Sequence, residues 1–333
     1  MSFAFIADEI TTFIKDHDST WALMQAAYKK GHKVFYAHSS SLGYKANQVF
    51  AKFIELDKEF FAYQESHKAN LIKFPVVPLD ENPSPIKYPC KEMNLDDFKV
   101  VMMRKDPPVD ARYIYETQLL QLCKNALVVN NPSSILCNNE KLSILNFPEI
   151  ISETIITNDK NEIKAFVNQV GKAVLKPLDG MGGAGIFVLE ASDKNLNSII
   201  EQSLNTAFKN NPLMVQKFIP GISQGDKRLI VVNGECIGAV LRVPAQDDHR
   251  GNLAAGGSFE KYELNDNDKK IVATIKDFLL ENKIYFAGVD VIGDYLTEIN
   301  ITSPTCLQEI NKLSGYSFEE SMEARIVDVL SML

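Results

Sequence analysis

The residues with the clearest chemical potential lie in three groups, the first of which is KPLDGMGGAGIFVL, residues 176–189. Gly180, Gly182 and Gly185 match G-x-G-x-x-G, and Gly183 adds a fourth glycine to the loop. A dinucleotide-binding turn needs a strand before such glycines and a helix after them, so that the helix N-terminus meets the pyrophosphate. Here the apolar run AVLKPL precedes, but the β-branched and aromatic run IFVLE follows. The spacing therefore predicts a strand–turn–strand hairpin, and a dehydrogenase reading rests on coincidence alone. A Walker loop is excluded too, because Ile186 and Phe187 follow Gly185 where Lys and Ser/Thr are required. What is left is a glycine-tipped hairpin with Lys176 on its first strand. Glycines let backbone amides approach an anion closely, and a lysine supplies a point charge for phosphate. A plain long β-turn is the bland alternative.

The second group is FAGVDVIGDYLTEINIT, residues 286–302. Glu298 and Asn300 are two apart on one strand and share a face. Asp290 lies on the preceding strand, across a turn at Gly293–Asp294. A two-residue turn would set Asp290 opposite Thr297; a three-residue turn, Gly293 to Tyr295, sets it opposite Glu298 with all the oxygen donors on one face. The odd-length turn is the expectation. Hard oxygen ligands without histidine or cysteine suit Mg2+ or Mn2+, completed by water and substrate phosphates. Solvated surface carboxylates are the alternative, weakened by the flanking Leu296, Ile299 and Ile301.

Arginines form the third group. Arg228 and Arg242 fall on consecutive expected strands, and Arg250 sits in a glycine- and alanine-rich loop, Val243 to Ser258, expected to move as a lid. Arg104 follows the apolar run KVVMM, at the C-terminal end of a strand where ligands gather in open α/β sheets. Guanidinium groups suit bidentate binding of carboxylate or phosphoryl oxygens.

Something must hold these groups in place. FAFIAD, the helix pattern DSTWALMQAAYKKG and KVFYAH read as a βαβ unit, and ALVVNNP adds a further strand. The second half mixes strand runs with helical patterns at LNSIIEQSLNTAFKN, at DKKIVATIKDFLLENK (apolar at Ile271, Ile275, Phe278 and Leu279) and at SFEESMEARIVDVLSML, where Ser317 and Glu320 form a capping-box pattern. The fold class is thus α/β with a parallel sheet, followed by α+β. Residues 40–95 are turn-rich, and the prolines of LIKFPVVPL confine any strand there to an edge.

At 333 residues the length suggests two domains. A net charge of −8 argues against general nucleic-acid or anionic-membrane binding. No signal peptide or membrane-spanning run is visible. The five scattered cysteines form no CxxC, so reduced thiols and a cytoplasmic location are expected. Cys306 reads as a buried small side chain and His249 as a surface residue of the lid.

The motifs MRKDPP (103–108), NEKL (139–142), KPLDGMGGAGIF (176–187), GDKR (225–228), RGNLAAGG (250–257) and GVDVIGDYLTEINITSPTC (288–306) together resemble the ATP-grasp ligases, and more closely the bacterial glutathione synthetases. They occur in that family's order over most of the chain; residues 40–95 match poorly. The resemblance implies a Rossmann-like pre-ATP-grasp domain over 1–124 that binds substrate and an ATP-grasp domain with antiparallel sheets over 125–333. It implies that Lys141 and Lys176 meet the ATP phosphates under the glycine loop. Gln216, Lys217, Phe218 and Ile219 would meet adenine and Asp226 the ribose. Asp290, Glu298 and Asn300 would hold the metal. Arg104, Arg228, Arg242 and Arg250 would surround the peptide substrate and the reacting phosphoryl group. The implied reaction joins γ-glutamylcysteine to glycine through an acyl phosphate, with no enzyme nucleophile, in a homo-oligomer that is commonly a tetramer. Rivals are another ATP-grasp ligase with a different acceptor, or an ATP-binding regulatory protein that has lost catalysis.

Overall fold

The computed structural model describes residues 1–333 apart from 68, 75, 80, 81, 86, 87, 207–210 and 245–256. The runs Ser2–Ala7 and Val100–Arg104 are buried almost throughout, as strands covered on both faces must be. They pair in parallel with each other, with Lys33–His38 beyond the first and Leu127–Val129 beyond the second. Gln48–Glu55, Gly43–Lys45 and Lys91–Asn94 extend the sheet antiparallel. Helix Ser19–Lys29 makes the crossover as expected: the Asp18 side chain accepts from the Trp21 N–H at its start, and Gly31 follows its end at φ +79°. Because Leu127–Val129 belongs to this sheet, the parallel layer runs past residue 124, where the sequence reading sets the domain boundary. Val76–Leu79 pairs with Asn82–Pro85 in a separate hairpin, in keeping with its prolines.

Two antiparallel sheets follow. The smaller runs in the order Thr154–Thr157, Leu213–Lys217, Lys172–Pro177, Phe187–Glu190. The larger runs Ser258–Lys261, Glu235–Val243, Asp226–Val232, Phe286–Ile292, Tyr295–Asn300. Helix Asp266–Glu281 buries Ile271, Ile275 and Leu279 in one core with Leu229, Val289 and Ile299 of the larger sheet. Its first turn is closed by a capping box of Asn265 and Asp268. Leu307 and Ile310 of helix Leu307–Ser314 and Met322, Ile326 and Val327 of helix Met322–Met332 join the core of Trp21, Phe286 and Ile230. The chain's last helices thus tie the larger sheet to the N-terminal layer.

Two expectations are corrected. The connection between Phe286–Ile292 and Tyr295–Asn300 is a two-residue turn, Gly293–Asp294, since Ile292 faces Tyr295. Asp290 nevertheless faces Glu298, because a bulge after Leu296 inserts Thr297 as an unpaired residue. Thr297 Oγ1 donates to the Asp290 carbonyl at 3.1 Å and so ties the bulge down. Ser317 and Glu320 do bond, but Ser317 N–H and Oγ–H both donate to one Glu320 oxygen and close a turn. The helix begins only at Met322, with the Ser321 side chain accepting from the Ala324 N–H. Among the described residues no helix is long and apolar enough to cross a membrane.

Gly225, at φ +122°, turns the chain into the strand that carries Asp226 and Arg228; a Cβ there would lie 2.7 Å from Leu241 Cδ1 and 3.1 Å from the Arg242 carbonyl oxygen. Gly225→Ala is therefore expected to cost about 1–3 kcal/mol. Its thermal midpoint falls measurably below that of the unsubstituted chain; an unchanged midpoint would show that the turn relaxes freely.

Candidate active site

A cavity of about 360 Å³ opens between the two antiparallel sheets and is closed at one end by Asp106 and Pro107, which follow the buried strand Val100–Arg104. Its walls follow from strand alternation. Val174 and Lys176 are two apart on the smaller sheet and both face inward, with Val174 paired to Val188. Val174, Val188, Ile186, Ile222 and Ile292 make an apolar slot beside the segment Gln216–Ile219. Opposite it, Arg228, Arg242, Asp290 and Asn300 enter from the larger sheet. They share a face because Arg228 pairs with Asp290, and Gly288 with Asn300, across neighbouring strands.

The charged residues are coupled. Asp290, 4% exposed, receives Arg228 in a bidentate fork, Nε on Oδ1 and one terminal nitrogen on Oδ2 at 2.9 Å. Arg242 reaches Oδ2 at 2.9 Å with the nitrogen that also holds Asp226. Asn300 Nδ2 donates to Asp290 Oδ2 at 3.2 Å and to the Gly288 carbonyl at 3.0 Å. Burial pushes the Asp290 carboxyl up, but the two guanidinium groups outweigh it and hold it at about 2. Asp226 goes the other way: burial, with Asp290 adding, carries it to about 6 against the pull of Arg242. Asp226 Oδ1 and Arg242 Nε are buried and have no partner among the described residues.

Lys141 sits on the segment bonded to the edge strand of the larger sheet; its Nζ lies 2.9 Å from Glu298 and donates to the Gly180 carbonyl at 2.6 Å. Lys176 Nζ donates to Gln216 Oε1 at 2.7 Å, and Gln216 Nε2 donates to Thr154 Oγ1 at 3.0 Å. Burial pulls the Lys176 ammonium below the usual lysine range; Glu298 opposes this and Lys141 adds to it. Between the lysines the loop turns at Gly182, Gly183 and Gly185, all at positive φ. It folds back so tightly that a Cβ at Gly180 would meet Pro177 Cγ at 2.7 Å.

The structure thus gathers most of the sequence-derived candidates around one cavity. Lys141, Lys176, Gly180, Gly182, Gly183, Gln216, Lys217, Phe218, Ile219, Asp226, Arg228, Arg242, Asp290, Glu298 and Asn300 all line it. Gly185 shapes the loop from behind. Arg104 stands apart from the wall: it is 3% exposed, Nε donates to Thr20 Oγ1 at 3.1 Å and one terminal nitrogen to the Pro304 carbonyl at 2.9 Å. Arg250 and most of the expected lid lie outside the described residues, although Val243 and Ser258 at the lid's two ends pair with each other. Cys306 is buried, as expected. Sequence reasoning missed Asp106, Glu140, Thr302, Ser303 and Thr305 in the wall. Each sits inside or beside a quoted motif, but none has a residue type or spacing that distinguishes it without the fold.

Among the described residues no group of three or more His, Cys, Asp or Glu is set to hold a metal. The candidate set is instead two carboxylates and an amide, with Asp290 facing Glu298 and Asn300 bonded to Asp290. Such sparse hard-oxygen donors fit a small divalent cation that keeps waters and substrate phosphates as its other ligands. Removing Asp290 would strand Arg228 in the protein interior and leave Arg242 with Asp226 alone. Asp290→Ala is expected to cost about 3–5 kcal/mol, the usual penalty for an unpaired buried charge, and calorimetric unfolding checks it. A loss below about 1 kcal/mol would mean the guanidinium groups find water instead.

Against known proteins, residues 1–135 match the family described as prokaryotic glutathione synthetase, N-terminal domain, and residues 140–315 its ATP-grasp domain. The chain is 41% identical over 323 residues to the glutathione synthetase of Thermosynechococcus vestitus, covering 95% of this chain and 96% of that one. It is 39% identical to that of Synechococcus elongatus over 98% of both. A solved ATP-grasp ligase complexed with a precursor variant, Mg and ADP shares the fold, at TM-score 0.61 and 15% identity over 100% of this chain and 98% of that one. The chain belongs to the prokaryotic glutathione synthetase family, built on the ATP-grasp ligase fold.

Proposed function

We infer that the chain is a glutathione synthetase, an ATP-dependent carboxylate–amine ligase that joins γ-L-glutamyl-L-cysteine to glycine and releases ADP and phosphate. The observation that carries this reading is the gathering of Lys141, Lys176 and Glu298 with the Arg228–Asp290–Arg242 cluster around one cavity. The cysteinyl carboxylate attacks the γ-phosphorus of ATP, the bond to the β-phosphate oxygen breaks, and ADP leaves an acyl phosphate. The amine of glycine then attacks the acyl carbon, phosphate departs, and the amine's proton is lost as the amide forms. No protein nucleophile takes part; positioning and charge neutralisation do the work.

The chain's own residues divide that work. The slot of Val174, Val188 and Ile292 suits a flat purine, with Gln216, Lys217, Phe218 and Ile219 along its edge and Asp226 on the ribose. Lys141 and Lys176 hold the phosphates under Gly180, Gly182, Gly183 and Gly185. Arg228 and Arg242, with Arg250 from the lid, neutralise charge on the transferring phosphoryl group and orient the carboxylate. Arg104 belongs to the peptide-substrate side and braces the loop that ends in Pro304. Asp290, Glu298 and Asn300 would hold Mg2+ or Mn2+, which supplies charge neutralisation on the phosphates when bound. The Val243–Ser258 lid excludes water from the acyl phosphate.

The N-terminal domain, 1–124 with the strand Leu127–Val129 that completes its sheet, carries the dipeptide, and the remainder is the ATP-grasp domain. By family likeness the protein is a homo-oligomer, a tetramer; its scattered cysteines favour a cytoplasmic location, and its net charge of −8 argues against nucleic-acid or membrane partners.

Release of ADP from Mg·ATP should require γ-glutamylcysteine and glycine together and yield a tripeptide of the right mass. ADP formed only with other acceptors would keep the ligase and discard the substrate. Arg228→Ala should lower kcat by about a hundredfold or more, roughly 3 kcal/mol of barrier. The Lys176 pKa is lowered by burial, so its charge is lost at a lower pH than for an ordinary lysine. Nucleotide affinity should then fall on the alkaline side, and Lys176→Arg, which stays charged, should flatten that fall. Parallel titrations of the two proteins would sink this account of Lys176.

A further inference from the structure

Glu140 stands next to Lys141 in the cavity wall and has no part in the roles above. Its Oε1 accepts the Ile301 N–H at 2.8 Å, the Thr302 N–H at 3.0 Å and the Thr302 hydroxyl at 2.9 Å. Its carbonyl oxygen accepts the Ile299 N–H at 3.0 Å. One residue therefore grips the chain on both sides of Asn300, the last residue of its strand. Past Asn300 the strand Phe286–Ile292 offers no further pairing, because Gly288–Asn300 is the final pair. Without Glu140 the N–H groups of 301 and 302 would lack these acceptors, and the end of the strand would lose its anchor.

The neighbours of Glu140 extend the same connection. Asn139 Nδ2 donates to the Leu178 carbonyl at 2.9 Å, at the base of the glycine loop. Lys141 spans Gly180 and Glu298. Three consecutive residues thus join the glycine loop to the strand bearing Glu298 and Asn300. A carboxyl group is the apt acceptor here, since a single oxygen takes the three donors from Ile301 and Thr302.

We propose that Glu140 is a positioning residue that fixes Lys141 and the Glu298–Asn300 strand in one register, so that the nucleotide phosphates and their cation meet at a set spacing. The proposal rests on the synthetase reading for its reaction, and on geometry alone for its effect on nucleotide binding. Glu140 acts through Lys141, Glu298 and Asn300.

The test uses the full chain with Glu140→Ala, Glu140→Gln and Thr302→Val. Mg·ADP binding is measured by titration calorimetry beside steady-state kinetics, with thermal unfolding to verify the fold. Glu140→Ala should weaken Mg·ADP binding about tenfold or more and lower kcat, leaving the KM for γ-glutamylcysteine within about twofold. Glu140→Gln keeps an oxygen acceptor and should recover most of the affinity. Thr302→Val removes one donor, folds independently of any cost at position 140, and should show a smaller loss of the same kind. If Glu140→Ala does not fold, Thr302→Val decides the question: unchanged Mg·ADP affinity and kcat in that folded protein overturns the proposal. So does a folded Glu140→Ala protein with normal affinity and kcat, or one whose whole deficit lies in the dipeptide KM. A wild-type chain that binds Mg·ADP yet makes no tripeptide would overturn the synthetase reading, while the binding comparison still decides the role of Glu140.

Discussion

The site depends on a carboxylate kept charged inside the protein. Asp290 is buried at the centre of the larger sheet, and burial alone would favour its neutral form. Two guanidinium groups reverse that, and they can do so because three adjacent antiparallel strands deliver Arg242, Arg228 and Asp290 to one face. Register therefore carries electrostatics in this fold. A one-residue slip of any of these strands would turn its charge into an apolar layer, where it would lack a partner. The helix Asp266–Glu281 behind that layer and the terminal helices on the other face hold the strands where the charges require them.

Much of this arrangement was legible in the sequence, and the reasons differ by element. The βαβ opening follows from long apolar runs, a capping Asp18 and a stopping Gly31, all local signals. The hairpin around the glycines follows from the β-branched run after Gly185, which no helix start resembles. The facing of Asp290 and Glu298 came out as the oxygen chemistry demanded, but through a different device. Parity could be restored by an odd turn or by a bulge, and alternation alone does not choose between them. The strand Leu127–Val129 shows another limit. Its membership in the first sheet is a long-range pairing, invisible to local pattern, and it lies beyond the boundary read at 124. Arg104 carries the right residue type at the right strand end, yet its hydrogen bonds to Thr20 and Pro304 could not be read from spacing. Residues such as Ser303 and Thr305 were missed because a hydroxyl in a loop has no periodicity to betray it.

Most charges lining the site have a partner within the protein. Lys141 holds Glu298, Lys176 holds Gln216, and the two arginines hold Asp290 and Asp226. Each residue suited to a phosphate or a cation already has a protein partner. On the proposed assignment binding would be an exchange: a cation that took Glu298 would release Lys141 for a phosphate, and a phosphate that took Lys141 would free Glu298 for the cation. Only the difference between old and new pairings contributes to affinity. On that assignment anion and cation would favour each other's binding, since either alone would leave one displaced partner uncompensated.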